Sequence, residues 1–286
     1  MGLSSSVFWH QTSFDGASAI LEGRKLLYSY SLETFSCLNT KNGSHSTLQA
    51  AFPMISFFNL PMMDLESFLV KTTIEKRPLL DKETGDQVFE QHHITTADGK
   101  YGGVILGFKH QWGEFLGLSP VWYRDYFSSS LWSLMASIDE CSLRGIENER
   151  YQQLVWNNMA YTKNFVGSLN KYNLSEYRFY DEHEWRVVPD LEDLLAHGIQ
   201  PYLDEKEYQE YKKTHENSSL IPQLGVTFKW DDIEYIFYSN ELIINTILSE
   251  VMPQKYRGKI QLMSYKQLLE DCIGVKHHRD DFYEML

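Results

Sequence analysis

Cysteine is scarce in this chain. Cys37, Cys141 and Cys272 stand far apart, with no CxxC spacing among the 286 residues. That pattern argues against a structural zinc site and a disulfide framework, and fits a reducing compartment. Basic residues are outnumbered, 26 Lys and Arg against 39 Asp and Glu, giving a net charge of −13 and a pI near 5.2. Sequence-independent nucleic-acid affinity comes from lysine and arginine meeting phosphates, so this is not a general polyanion binder. Such a surface equally suits a basic partner. No window approaches the roughly 18 uninterrupted apolar residues of a membrane span. The stretch MGLSSSVFWHQTS has no basic region followed by an apolar run, so a cytoplasmic location without signal peptide is expected. GxxxxGK[ST] is missing, and no GxGxxG falls between a strand and a helix, which excludes a phosphate loop. Internal repeats and low-complexity linkers are also lacking.

What is present is a core. Hydrophobic residues make up 43% and aromatics 14% of the chain, the composition of a globular protein. Strand and helix patterns are interspersed, which predicts one α+β domain over residues 1–286. Val7–Trp9 reads as a strand, 15–21 as a helix with Gly23 near its end, and 26–30 as the next strand. Thr34–Ala50, rich in Ser, Thr, Asn and Gly, reads as a loop, and Pro53–Leu60 as a buried strand. Residues 64–69 suggest an amphipathic segment, followed by a loop-like stretch to Lys100. The adjacent His92 and His93 would face opposite ways on a strand, which argues against a metal pair. The glycines of 102–108 mark a strand with close backbone approach or a bulge. Helices are expected over 131–141 and 148–159. The strongly charged 191–216 reads as a helical insertion with a solvated face. Strands near 226–230, 234–238 and 260–263 alternate with helices over 241–251 and from 265.

Chemistry concentrates in Tyr177–Pro189, YRFYDEHEWRVVP. Its aromatic and β-branched content predicts a strand. Glu182 and Glu184 lie two residues apart, so a strand would project both carboxylates from one face, with Arg186 beside them and Trp185 opposite. Like charges that close need a cation, a shared proton or a ligand's hydroxyls. One reading has Arg186 neutralise them on an exposed face. Another has the pair bind a sugar and polarise a nucleophile. A glycosidase would usually carry its carboxyls on different strands, about 5 Å or more apart, and fits less well.

Other candidates precede this stretch. His10 closes the first strand, followed by the hydroxyls of Thr12 and Ser13, a grouping suited to a sugar or a carboxamide. Tyr28 lies in the second strand and Ser56 in PMISFFNL.

A strand-borne His-x-Thr, a tyrosine on the next strand and a late Glu-x-Glu together resemble the ADP-ribosyltransferase fold. FWHQTSFDGASAILEGRKLL is similar to its opening, and PMISFFN to the strand that carries its second motif, so Ser56 competes with Tyr28 for that role. Gln11 stands where many members have glycine. The resemblance implies a split, mixed β-sheet core with surrounding helices in a single domain, NAD as co-substrate and no metal. It implies Glu184 on the ribose 2′-hydroxyl, where positive charge develops as the nicotinamide bond breaks, and Glu182 orienting or deprotonating the acceptor. His10 would bond the adenosine ribose, Thr12 would seat the nicotinamide, and Tyr28 would stack on it. Arg186 would hold the pyrophosphate or pair with Glu182.

From Phe52 onward, ISFFNLP, YGGVILGFKHQWGEFLGLSPVWY, FYDEHEWRVVP and VTFKWDDIEYIF resemble the AbiGi group of abortive phage-infection proteins, described as carrying antitoxins. A related bacterial family also ends a strand in Glu-x-Glu-Trp-Arg. Together the resemblances imply a phage-defence toxin like the mRNA-modifying ADP-ribosyltransferase of toxin–antitoxin–chaperone systems. Its partners would be a neutralising antitoxin, a chaperone and an RNA or protein acceptor. An RNA acceptor predicts a basic and aromatic groove near Glu182, using Lys100, Lys109 or Lys163. The alternative is a catalytically silent antitoxin or binding protein with the same fold.

Overall fold

The computed structural model of the chain describes residues 7–38, 43–65, 70–80, 87–95, 102–144, 149–169 and 174–271. β1 (Val7–Thr12) ends at Ser13, whose hydroxyl accepts the Gly16 amide at 3.1 Å and caps α1 (Phe14–Gly23). Arg24, at φ 48°, closes α1 in the left-handed region and turns the chain into β2 (Lys25–Leu38). β3 (His45–Phe58) returns antiparallel in continuous register from Ser29–Met54 to Leu38–His45. The expected loop at Thr34–Ala50 is therefore largely strand. Phe35, Cys37 and Ala50 are buried in it, and its Ser and Thr residues suit an edge-facing strand as well as a turn.

β4 (Val70–Leu80) and β5 (Gln87–Thr95) pair as an antiparallel hairpin in a two-stranded sheet of their own. This replaces most of the loop expected before Lys100; the amphipathic segment expected over 64–69 lies mainly outside the described residues, as does Lys100 itself. β6 (Val104–Lys109) follows Gly102, where a Cβ would sit 2.1 Å from the Thr12 carbonyl oxygen. The close approach expected of these glycines is thus present.

Next come α2 (His110–Phe115), β7 (Ser119–Pro120), β8 (Trp122–Arg124), α3 (Ser129–Arg144), α4 (Glu149–Ala160) and β9 (Thr162–Asn164). β10 (Val166–Leu169) and β11 (Leu174–Arg178) form a hairpin. A 3-10 turn, Phe179–Glu182, separates β11 from β12 (Glu184–Val187). The charged region resolves into α5 (Leu191–Ala196), β13 (Leu203–Asp204) and α6 (Glu205–Thr214), which Asp204 and Glu207 start with a reciprocal capping box. β14 (Leu220–Thr227), β15 (Ile233–Tyr238), α7 (Glu241–Val251) and β16 (Gln261–Ser264) complete the described elements named here.

The architecture is α+β with a mixed sheet in the order β14-β2-β3-β1-β6-β15-β16, to which β12 and β13 add on β3 and β7 on β12. β15 and β16 run parallel, and the other pairings in this sheet are antiparallel. Alternating side chains feed two cores. Phe8, Leu106, Phe108 and Ile236 pack on one face with Ala17 and Leu21 of α1 and Ile244 and Leu248 of α7. Val7, Trp9, Ile105 and Phe237 pack on the other with Leu65 and Leu268.

β3 is where the sheet divides. β2 leaves it after the Ser29–Met54 pair, and β1 meets it only at Trp9–Phe58 before pairing in full with β6. A cleft opens between β1 and β2, floored by residues 54–58 of β3. No helix among the described residues is long and apolar enough to cross a membrane.

Candidate functional site

The cleft has a volume of about 890 Å³ and is lined by His10, Thr12, Ser56, Lys163, Glu182 and Glu184, with α1 along one side. Residues separated by more than 170 positions thus meet in one concave site of ligand-binding size. The structure brings together five of the seven predicted site residues here.

Glu184 sits at the start of β12, paired with Phe58, and is 6% exposed. Its Oε1 accepts Ser56 Oγ at 2.7 Å and Arg186 Nε at 2.7 Å. Its Oε2 accepts Lys163 Nζ at 2.8 Å and Arg186 NH2 at 3.1 Å. Four donors fill the roughly four lone-pair positions of a carboxylate. Burial pushes the Glu184 carboxyl up, but the positive charges of Arg186 and then Lys163 outweigh it and hold the group well below the usual range. The backbone N–H of Glu184 donates to the Tyr123 hydroxyl at 2.9 Å.

Glu182 reaches the same place by a different route from the one expected. It ends the 3-10 turn, and His183 follows at φ 45°, so the two carboxylates converge through a left-handed residue and not by strand alternation. Glu182 is 5% exposed, accepts the Tyr177 hydroxyl at 3.0 Å and lies 3.7 Å from Lys163 Nζ. The expected exposed sheet face is a buried one. Arg186 does neutralise a glutamate there, and the partners are Glu184 and Glu33, not Glu182.

Arg186 is fully buried. Besides Glu184, its NH1 donates to the Ala160 carbonyl at 2.7 Å and its NH2 to Glu33 Oε1. With every arm of the fork engaged behind the cleft, it has no group to offer a pyrophosphate, which corrects that expectation. Burial lowers the guanidinium's pKa, and Glu184 and Glu33 more than restore it.

Lys163, on β9, is the hub. It lies 2.8, 3.7 and 4.0 Å from Glu184, Glu182 and Glu33, with its ammonium 4.5 Å from the centre of the Phe179 ring. Burial pulls its pKa down, but the carboxylates, Glu184 first, hold it above the ordinary value.

His10 is held by Nδ1, 3.0 Å from the Ser56 carbonyl oxygen. A carbonyl only accepts, so Nδ1 carries the proton. Burial lowers the ring's pKa against a smaller upward push from that bond, which favours the neutral form and leaves Nε2 as an acceptor.

Tyr28 lies elsewhere. Leu27, Ser29 and Ser31 of β2 line the cleft, while Tyr28 points to the other face into the main core, where burial, then Tyr161, Asp190 and Asp193, raise its phenol. Of the two competing residues, Ser56 lines the cleft and Tyr28 does not. Among the described residues, two of the three lysines named for a basic groove do not supply one, although Lys25 lines the cleft. Lys109 is exposed at the end of β6 and does not line the cleft, and Lys163 is saturated with carboxylates. Among the described residues, no group of three His, Cys, Asp or Glu could hold a metal ion.

Glu33, Tyr123 and Tyr177 have site contacts that the sequence reading did not assign. Glu33 shares the parity of Ser29 and Ser31 on β2, a signal hidden once the strand was ended at Tyr30.

The model of one protein family, described as abortive phage resistance protein AbiGi, antitoxin, matches residues 89–239. No curated protein and no solved structure matches the chain. The matched segment holds Lys163, Glu182, Glu184 and Arg186, whereas His10, Glu33 and Ser56 lie before it. Covering just over half of the sequence, that match shows that the chain belongs to the AbiGi family of abortive phage resistance proteins.

Proposed function

We propose that this protein is an antitoxin-type member of its family, a binding protein whose cleft takes an NAD-like dinucleotide without turning it over. The observation that carries this is the state of Glu184. A carboxylate that stabilises an oxocarbenium-like transition state must accept a bond from the sugar hydroxyl. Both oxygens of Glu184 already hold two donors each, inside the protein. The ligand class rests on the size of the cleft and on its mixture of hydroxyls, a neutral histidine, two lysines and two glutamates. The family description supports the antitoxin role and brings with it a toxin as protein partner.

A second reading has one specific observation in its favour. Ser56 Oγ, 2.7 Å from Glu184, and His10 share the cleft, the combination expected of an NAD-dependent ADP-ribosyltransferase toxin acting on RNA or protein. Induction of wild type and Glu184→Ala in cells, with labelled NAD added to both lysates, separates the two. The binding-protein reading expects neither growth arrest nor labelled macromolecule from either chain. Arrest and labelling by wild type alone would establish the transferase, and nuclease or protease sensitivity would name its acceptor.

A further inference from the structure

We infer that Lys163 is the positioning residue that keeps Glu184 silent, and that displacing it turns the cleft into one that cleaves the N-glycosidic bond of an NAD-type ligand. The inference rests on the dinucleotide reading of the cleft.

Two cations clamp Glu184, and they differ in kind. Arg186 is wholly buried behind the cleft and anchored by Ala160 and Glu33 as well, a planar fork with no alternative orientation. Lys163 lines the cleft, with 13% of its side chain exposed. Its ammonium is a point charge on a flexible stem, already shared among three carboxylates. A shift from Glu184 towards Glu182, now 3.7 Å away, would keep it paired while vacating one acceptor position on Glu184 Oε2. Oε2 would then hold only Arg186 NH2, and its second lone pair would face the cleft that His10 and Ser56 also line. Lys163 is thus the one of the two clamps that a ligand can reach and move.

The chemistry unmasked is hydrolysis, with solvent water as the co-reactant. The bond between ribose C1′ and the pyridinium nitrogen breaks, and its electron pair neutralises the ring as nicotinamide leaves. Water oxygen bonds to C1′ and loses one proton to solvent, giving ADP-ribose. Glu184 stabilises the positive charge that develops on the ribose between the two events.

Removing Lys163 alone leaves three carboxylates facing one cation, so the test pairs Lys163→Met with Glu33→Gln, which restores the balance. NAD binding is measured by calorimetry and nicotinamide release by chromatography. The double variant is expected to bind NAD and release nicotinamide roughly tenfold or more faster than wild type. Adding Glu184→Gln should remove that gain, and Lys163→Arg should show little of it. Binding with release no faster than wild type overturns the role of Lys163 while leaving the dinucleotide reading intact. Wild type that does not bind NAD overturns both. If the double variant fails to fold, Lys163→Gln paired with Glu33→Gln is measured in the same way, where faster nicotinamide release than wild type supports the inference and release no faster than wild type overturns it.

Discussion

Replacing Arg186 by methionine removes the centre of a buried ionic network while keeping an unbranched apolar stem in its place. In the wild type this guanidinium makes bonds to Glu184 at 2.7 and 3.1 Å, to Glu33, and to the Ala160 carbonyl at 2.7 Å. The variant leaves Glu184 and Glu33, 6% and 7% exposed, with Lys163 as the remaining close cation. Breaking a buried pair by removing one partner costs about 3–5 kcal/mol, because the charge left behind is uncompensated. For a chain of this size that is a fall in Tm on the order of 10 °C. Thermal unfolding followed by circular dichroism at neutral pH measures it. The deficit should shrink as pH falls, because the unpaired carboxylates of the variant take up protons more readily than those of the wild type. Arg186→Lys should recover only part of the loss, since an ammonium cannot reproduce the fork. A fall in Tm below about 2 °C for Arg186→Met would refute the reasoning, because it would mean the network carries under about 1 kcal/mol.

Glu184 also predicts a pH dependence. Its folded carboxyl lies well below its unfolded value of 4.5, so its stabilisation is present above about pH 4.5 and is lost as pH falls toward the folded value. Acid titration should therefore destabilise wild type more steeply than Glu184→Gln in that window, which denaturant melts across pH will check. Gly102→Ala places a Cβ 2.1 Å from the Thr12 carbonyl oxygen at a backbone φ of +153°, and should cost at least about 1–3 kcal/mol. Gly23→Ala, at the last residue of α1 with no atom within 4 Å of the added Cβ, should instead be neutral or stabilise by up to about 1 kcal/mol. Asp204→Ala removes one half of the capping box of α6 and should cost about 1 kcal/mol in the same denaturant assay.

Local elements were legible where local forces decide them. The helices α1 and α7 were expected from their apolar spacing over 15–21 and 241–251, and the structure adds the Ser13 and Asn240 caps that start them. That His10, Thr12, Ser56, Glu182 and Glu184 line one cleft was approached through a resemblance built on histidine, tyrosine and glutamates, with Ser56 only a competitor of Tyr28, and not through any local pattern. The long β2–β3 hairpin was missed because Ser, Thr, Asn and Gly serve strands and loops alike, and only the partner strand settles which. The left-handed His183 was equally hidden. A histidine at φ 45° has no local signature, yet it decides how Glu182 meets Lys163. The assignment of Tyr28 failed on strand parity, because the cleft takes Leu27, Ser29 and Ser31 from β2. Most consequential was the electrostatics. Arg186 is two residues from Glu184 and was visible as a counterion, but Lys163 and Glu33 come from distant strands, and burial of the whole group depends on β3, β9 and β12 packing together.

The most direct test of the central claim is calorimetric titration of NAD into the purified wild-type chain, with nicotinamide followed in the same sample. The account predicts saturable binding and no nicotinamide release over hours, with binding weakened by His10→Ala and Ser56→Ala. Steady release by wild type that disappears in Glu184→Ala would contradict it, and would show that the four donors around Glu184 leave a working catalytic carboxylate.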